Sequence, residues 1–236
     1  MADIDGLVSV LSEGDDVAKA AAARALFNLM LRGRLSGSTP TKAAIAEAGG
    51  IPLLVDLVRD GSADAKWHAA RVLGAIALGN DTNRILVAEA GAIPPLVELL
   101  RDGSAVAKAE AAWALCNLAC GNDANQVLIA AAGAIVPLFE LLRDALPAVK
   151  MQAGSTLRSL ARNNDANAVA IAVAVGFEAL VQLARSGNVT HDNVTVVHDA
   201  GVPAKRKAAL VVATLLRDSV PDSAPDEMKA LIAPYL

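Results

Sequence analysis

A phrase in this chain returns every 42 residues. Ala48-Gly49-Gly50-Ile51 comes back as Ala90-Gly91-Ala92-Ile93 and Ala132-Gly133-Ala134-Ile135, and in altered form as Ala174-Val175-Gly176-Phe177. A fixed period of this size means a stack of similar supersecondary units. Each unit buries its apolar face against its neighbours, so no single closed core forms. A stack offers long faces and rows of side chains rather than one cleft, and function is to be sought there.

Residues 122–163 show the unit most clearly. Asn122-Asp123-Ala124-Asn125 places a capping side chain before a short helix that runs to about Ala131. Gly133 breaks that helix, because glycine accepts the turn geometry at a helix end. A second helix is predicted from Ile135 to Arg143, with Pro137 in its first turn, where no backbone donor is lost. After a turn at Asp144-Ala145-Leu146-Pro147, a third and longest helix is predicted over about 148–161, apolar on one side. The lysine opening the third helix recurs as Lys66, Lys108 and Lys150 at the same 42-residue spacing. Lys19 precedes Lys66 by 47 residues, so an extended loop of five added residues falls near 34–39. Lys205 follows Lys150 by 55, which puts 13 added residues before the last long helix, near 187–202.

Composition narrows the class. The chain is 54% apolar but only 3% aromatic, and much of the apolar share is alanine, which suits closely packed helices rather than sheets. A net charge of −4 gives no global basic footprint, so nucleic acid is not an expected partner. No uninterrupted apolar run reaches membrane-spanning length, and no membrane partner is expected. The N-terminal residues show neither the basic nor the apolar region of a signal peptide. Cys116 and Cys120 are expected to be reduced, half-buried thiols. A cytoplasmic or nuclear location follows from these two expectations. His191-Asp192 and His198-Asp199, seven residues apart on an expected loop, make too sparse a set for a metal site. No phosphate-binding loop, dinucleotide fingerprint or nucleophile elbow occurs, so no catalytic residue, metal or cofactor is assigned and no enzyme activity is expected.

The period, the three-helix unit and two phrases together resemble the armadillo repeat family, of the importin-α and β-catenin type. The phrases are Ala90-Gly-Ala-Ile-Pro-Pro-Leu-Val-Glu-Leu-Leu100 and Glu110-Ala-Ala-Trp-Ala-Leu-Cys-Asn-Leu-Ala119. The resemblance covers about residues 3–217 and implies an all-α, right-handed α-solenoid whose third helices line a concave groove. The expected single domain, 1–236, has an N-terminal half-repeat (1–38) and full repeats at 39–79, 80–121 and 122–163. A repeat carrying the insertion (164–217) and a C-terminal capping helix (224–236) complete it. Ile4, Leu7, Val8 and Leu11 share a helix face at one end, and Met228, Leu231, Ile232 and Tyr235 at the other, as lids would require. The chain therefore reads as complete, or trimmed at a repeat boundary.

In this family a third helix offers tryptophan and, four residues on, asparagine. The asparagine amide can both donate to and accept from a peptide backbone, and the tryptophan walls the peptide's aliphatic stems. Here the pair is intact once, as Trp113 and Asn117. In repeat register the tryptophan row reads Arg24, Arg71, Trp113, Ser155, Leu210, and the asparagine row Asn28, Ala75, Asn117, Ser159, Thr214. Trp67 and Arg206 stand one turn earlier, and Trp67 and Arg71 are close enough in sequence to stack. The resemblance implies a non-enzymatic protein-interaction scaffold holding an extended peptide. Its groove residues would be Arg24, Asn28, Trp67, Arg71, Trp113, Asn117, Ser155, Ser159 and Arg206. Arginine where tryptophan would stand favours acidic or phosphorylated segments. A structural subunit of a larger assembly, using convex, end or insertion surfaces, is the alternative.

Overall fold

The computed structural model describes residues 4–33, 39–143, 146–168, 170, 171 and 174. The expected insertion at 187–202, the rest of the fourth repeat and the expected cap at 224–236 lie outside the described residues. Among the described residues there are helices and no strands. Helices α1 (Ile4–Glu13) and α2 (Asp16–Gly33) form a two-helix unit. Three three-helix units follow: α3 (Thr39–Glu47), α4 (Gly50–Asp60) and α5 (Ala63–Ala77); α6 (Asp81–Glu89), α7 (Ile93–Asp102) and α8 (Ala105–Ala119); α9 (Asp123–Ala131), α10 (Ile135–Leu141) and α11 (Pro147–Ala161).

Local chemistry accounts for the breaks. Asn80 and Asn122 cap α6 and α9, their side chains accepting the backbone N–H of Asn83 and Asn125. Ser62 and Ser104 do the same for α5 and α8. No side chain caps α11; instead Pro147 occupies its first turn, where its missing N–H costs nothing. The third helix therefore starts on the proline that the sequence assigns to the turn. Helix α10 stops at Leu141 rather than Arg143, because Leu142 and Arg143 donate to Phe139 and Glu140, three residues back, and tighten the last turn. The turns into α6 and α9 need positive φ. Gly79 and Gly121 supply it, and Asn163, with φ 56, stands in the same register position in the third copy. Asparagine is the side-chain-bearing residue best suited to that region.

The core repeats in register too. Ile45, Val87, Ile129 and Ile171 form one buried row, Leu54, Leu96 and Leu138 a second, and Leu73, Leu115 and Leu157 a third. Burial of each such side chain is worth about 1.5–3 kcal/mol, so every added unit stabilises its neighbours. The third helices pack most heavily on one another, α2 on α5, α5 on α8 and α8 on α11, whereas α4, α7 and α10 touch only lightly. Closer packing on one side bends a stack toward that side, so the third helices form its inner layer.

Two polar rows sew the units together at the C-terminal ends of the third helices. Asn83, Asn125 and Asn167, 42 residues apart, donate through Nδ2 to Ile76 O, Leu118 O and Leu160 O. Asn125 and Asn167 also donate to Arg84 O and Gln126 O in the preceding first helix. The neighbouring row is Lys42, Arg84 and Gln126, which donate to Leu78 O, Asn117 O and Arg162 O, each near the end of the third helix of its own unit. These carbonyls have no partner within the helix, and cations are favoured at that end of the helix dipole. Gln126 is the uncharged member, and its Oε1 has no hydrogen-bond partner among the described residues.

Candidate functional site on the inner layer

The inner layer carries the tryptophan and arginine rows, and the structure places each residue differently. Trp113 lies half-buried across α5 at Gly74: a Cβ there would come within 2.7 Å of the ring and 2.9 Å of Ala114 Cα. A glycine in mid-helix, costly for the helix itself, lets α8 approach α5 and gives the indole its seat. Asn117, one turn on, is only 8% exposed, and its Nδ2 donates to Gly74 O at 3.2 Å. The expectation that the Asn117 amide stands ready for a peptide backbone is corrected in this respect. Its donor is committed to a neighbouring helix, because the glycine opens that carbonyl to a side chain.

Arg71 is also engaged. Its guanidinium carbon sits 4.1 Å from the centre of the Phe27 ring on α2, and its Nε lies 3.6 Å from Glu110 Oε1 on α8. The expected stacking of Arg71 on Trp67 does not occur. Trp67 instead stacks on His68, with ring centres 3.5 Å apart, and donates Nε1–H to Asp64 at 2.9 Å. His68 is buried, its Nε2 3.8 Å from Asp64. Burial holds its pKa below the usual value; Asp64 pulls it back up, while Arg24 and Arg71 push it further down. Burial raises the Glu110 carboxyl above its usual range, and Arg71 opposes the rise.

Arg24 and Asn28 on α2 are exposed, and Arg24 makes no ion pair among the described residues. At the other end, Ser155 is buried and its hydroxyl donates to Met151 O, while Ser159 Oγ lies 3.4 Å from Cys116 Sγ. Cys116 is half-buried and Cys120 exposed. Arg206 lies outside the described residues. The structure thus brings Phe27, Trp67, Arg71, Glu110 and Trp113 into one aromatic and charged strip across α2, α5 and α8. Among the described residues no three metal-ligating side chains cluster, and no single helix is long and apolar enough to cross a membrane.

Residues 80–120 match the family model of the armadillo/beta-catenin-like repeat. A designed armadillo repeat protein is similar over 99% of this chain and 90% of its own, at 26% identity and a TM-score of 0.77. The chain thus carries an armadillo-type repeat and shares the solenoid fold of designed armadillo repeat proteins. A second designed armadillo repeat protein, solved in complex with peptide (KR)4, is 28% identical with a TM-score of 0.75, over 99% of this chain and 88% of its own. An engineered protein is 29% identical with a TM-score of 0.77, over 100% of this chain and 85% of its own. No curated protein sequence matches significantly.

Within the repeat array, the sequence reading missed Phe27, Gly74 and Glu110. A signal for each was present. The repeat register that aligns Arg24 with Arg71 and Trp113 also aligns Phe27, Gly74, Cys116 and Arg158. A glycine in that row marks a close approach. Glu110 opens the quoted tryptophan phrase and is the acidic member of its own row, Ala21, His68, Glu110, Gln152.

Proposed function

We propose that this protein is a binding scaffold whose inner layer holds an extended, acidic peptide segment. The observation that supports this most directly is the exposed guanidinium of Arg24, which makes no ion pair among the described residues, beside the half-exposed Trp67, Arg71 and Trp113. Tryptophans on successive third helices wall apolar stems, while Arg24 and Arg71 select carboxylate or phosphate. Asn28 serves as the open amide on α2, and the side-chain Oδ1 of Asn117 as an acceptor. Four described third helices at roughly 9–10 Å spacing span about 30 Å, enough for on the order of nine extended residues. Computationally designed armadillo repeat proteins for modular peptide recognition, and another designed armadillo repeat protein solved with the basic peptide (KR)4, support the scaffold part of this proposal. Arginine at two positions of the tryptophan row supports the opposite charge preference for this chain. A location in the cytoplasm or nucleus fits the same proposal.

Titration of acidic and basic peptide pools against wild type and Arg24→Glu tests it. The expected result is tighter binding of the acidic pool, lost in the variant; equal binding of both pools by the wild type sinks the charge assignment.

A second proposal, an assembly subunit with an idle inner face, draws on exposed apolar side chains of the first helices. Ile85 and Leu86 on α6 recur in register as Val127 and Leu128 on α9, all at least 40% exposed. It predicts that Trp113→Ala with Asn117→Ala leaves partner recovery unchanged in a pulldown.

A further inference from the structure

Three third helices are joined by one chain of contacts. Glu110 on α8 reaches back to Arg71 on α5, and Arg71 reaches back to Phe27 on α2. The two halves of this chain differ in kind. The guanidinium rests at 4.1 Å on an aromatic face, a contact that positions the cation and leaves its charge unsatisfied. The carboxylate end is a pair at 3.6 Å, longer than the roughly 2.7–2.9 Å of a well-formed charge-assisted bond. Arg71 is 38% and Glu110 20% exposed along the side chain, so the cation faces solvent more than its partner does. A ligand carboxylate approaching the strip from solvent meets a cation already placed by Phe27 and already shared with Glu110. Arg24 acts on the same histidine as Arg71.

We propose that Glu110 is an internal competitor that sets the charge specificity of the groove, occupying in the free protein the guanidinium of Arg71 that an acidic side chain of the ligand takes on binding. This rests on the acidic-peptide reading above. The role falls to Glu110 alone in its row, since Ala21 and Gln152 carry no charge and His68 is held neutral by burial. The competitor lowers affinity for every acidic ligand. It thereby favours segments whose aliphatic and aromatic parts also engage Trp67 and Trp113 over indiscriminate polyanions. A basic segment, by contrast, is offered the Glu110 carboxylate.

The test is fluorescence polarisation with two labelled octapeptides at fixed ionic strength: alternating Asp-Glu, and (KR)4. Wild type, Glu110→Gln, Glu110→Met and the double variant Arg71→Gln/Glu110→Gln are compared, with Glu98→Gln on the exposed face of α7 as a charge-matched control. The expected result is a gain of about fivefold for the acidic octapeptide in both Glu110 variants. The double variant should lose that gain, and Glu98→Gln should not show it. Thermal melts establish that the variants are folded, and the methionine variant fills the glutamate's volume should the amide destabilise the helix. An acidic preference in wild type with no gain in either Glu110 variant, or an equal gain in Glu98→Gln, overturns the proposal and leaves the acidic-peptide reading standing. Wild type and both Glu110 variants all failing to prefer the acidic octapeptide overturns both.

Discussion

The seam at the helix ends and the face of the inner layer share one 42-residue ruler but use it differently. Along the seam the rows are nearly constant in chemistry. Asn83, Asn125 and Asn167 make the same bond to the same carbonyl position, and Lys42, Arg84 and Gln126 all donate to third-helix ends. Across the face the row changes its chemistry along the stack, from cation to aromatic to hydroxyl: Arg24 and Arg71, then Trp113, then Ser155. The seam repeats because each unit leaves the same carbonyls without intrahelical partners, and every copy must satisfy them. The face is free to vary because nothing in the stack depends on it repeating. A row that varies against a constant frame is where a particular partner is read.

The largest expected effect falls on the seam. Asn125→Ala removes the donor shared by Leu118 O and Arg84 O in a buried setting, and should cost about 2–3 kcal/mol of stability. Urea unfolding measures it, with octapeptide affinity unchanged below the transition; a loss of affinity without loss of stability would break the division between seam and face. Gly74→Ala comes next, because Gly74 is the point where face and frame meet. Its new Cβ would strike the Trp113 ring and the α8 backbone, and the overpacking should outweigh the gain in helix propensity, for a net cost of about 1 kcal/mol. The emission of Trp113, isolated by Trp67→Phe, should shift to the red as the indole leaves its seat. The smallest effect concerns His68. Its folded pKa lies below its unfolded value, so the stability it contributes is present above about pH 6.5 and is lost as pH falls through the folded value. Glu110, raised by burial, runs the other way: its contribution is full at low pH and is lost as pH rises. Melting between pH 7 and 5 should therefore decline less steeply in His68→Gln than in wild type, and a steeper decline would contradict the assignment.

Much of the frame was legible in the chain. The three-helix unit, the Asn-Asp caps and the glycine breaks are local chemistry, and local chemistry is written in adjacent residues. Boundaries missed by a residue or two at Pro147 and Leu141, where a proline serves a turn and a helix start equally well. The face was legible as positions but not as states. Asn117, read as an open hook, has its donor bound to Gly74 O, 43 residues away. Arg71, read as a free cation beside Trp67, rests on Phe27 and Glu110 instead. Register says that two side chains point to the same side; it does not say how close the helices come or which neighbour a long side chain meets first.

The 42-residue spacing by itself determined the all-helical stack, the identity of its layers and the rows that each layer presents, because helix period, capping and apolar burial are satisfied within one unit and its nearest copy. Which members of those rows are spent and which remain available was decided only in the tertiary structure. A glycine's missing Cβ sets the approach of α5 and α8, and that approach commits the amide of Asn117 and seats Trp113. The contacts of Arg71 with Phe27 and Glu110 likewise depend on the distances between three helices that no single unit contains.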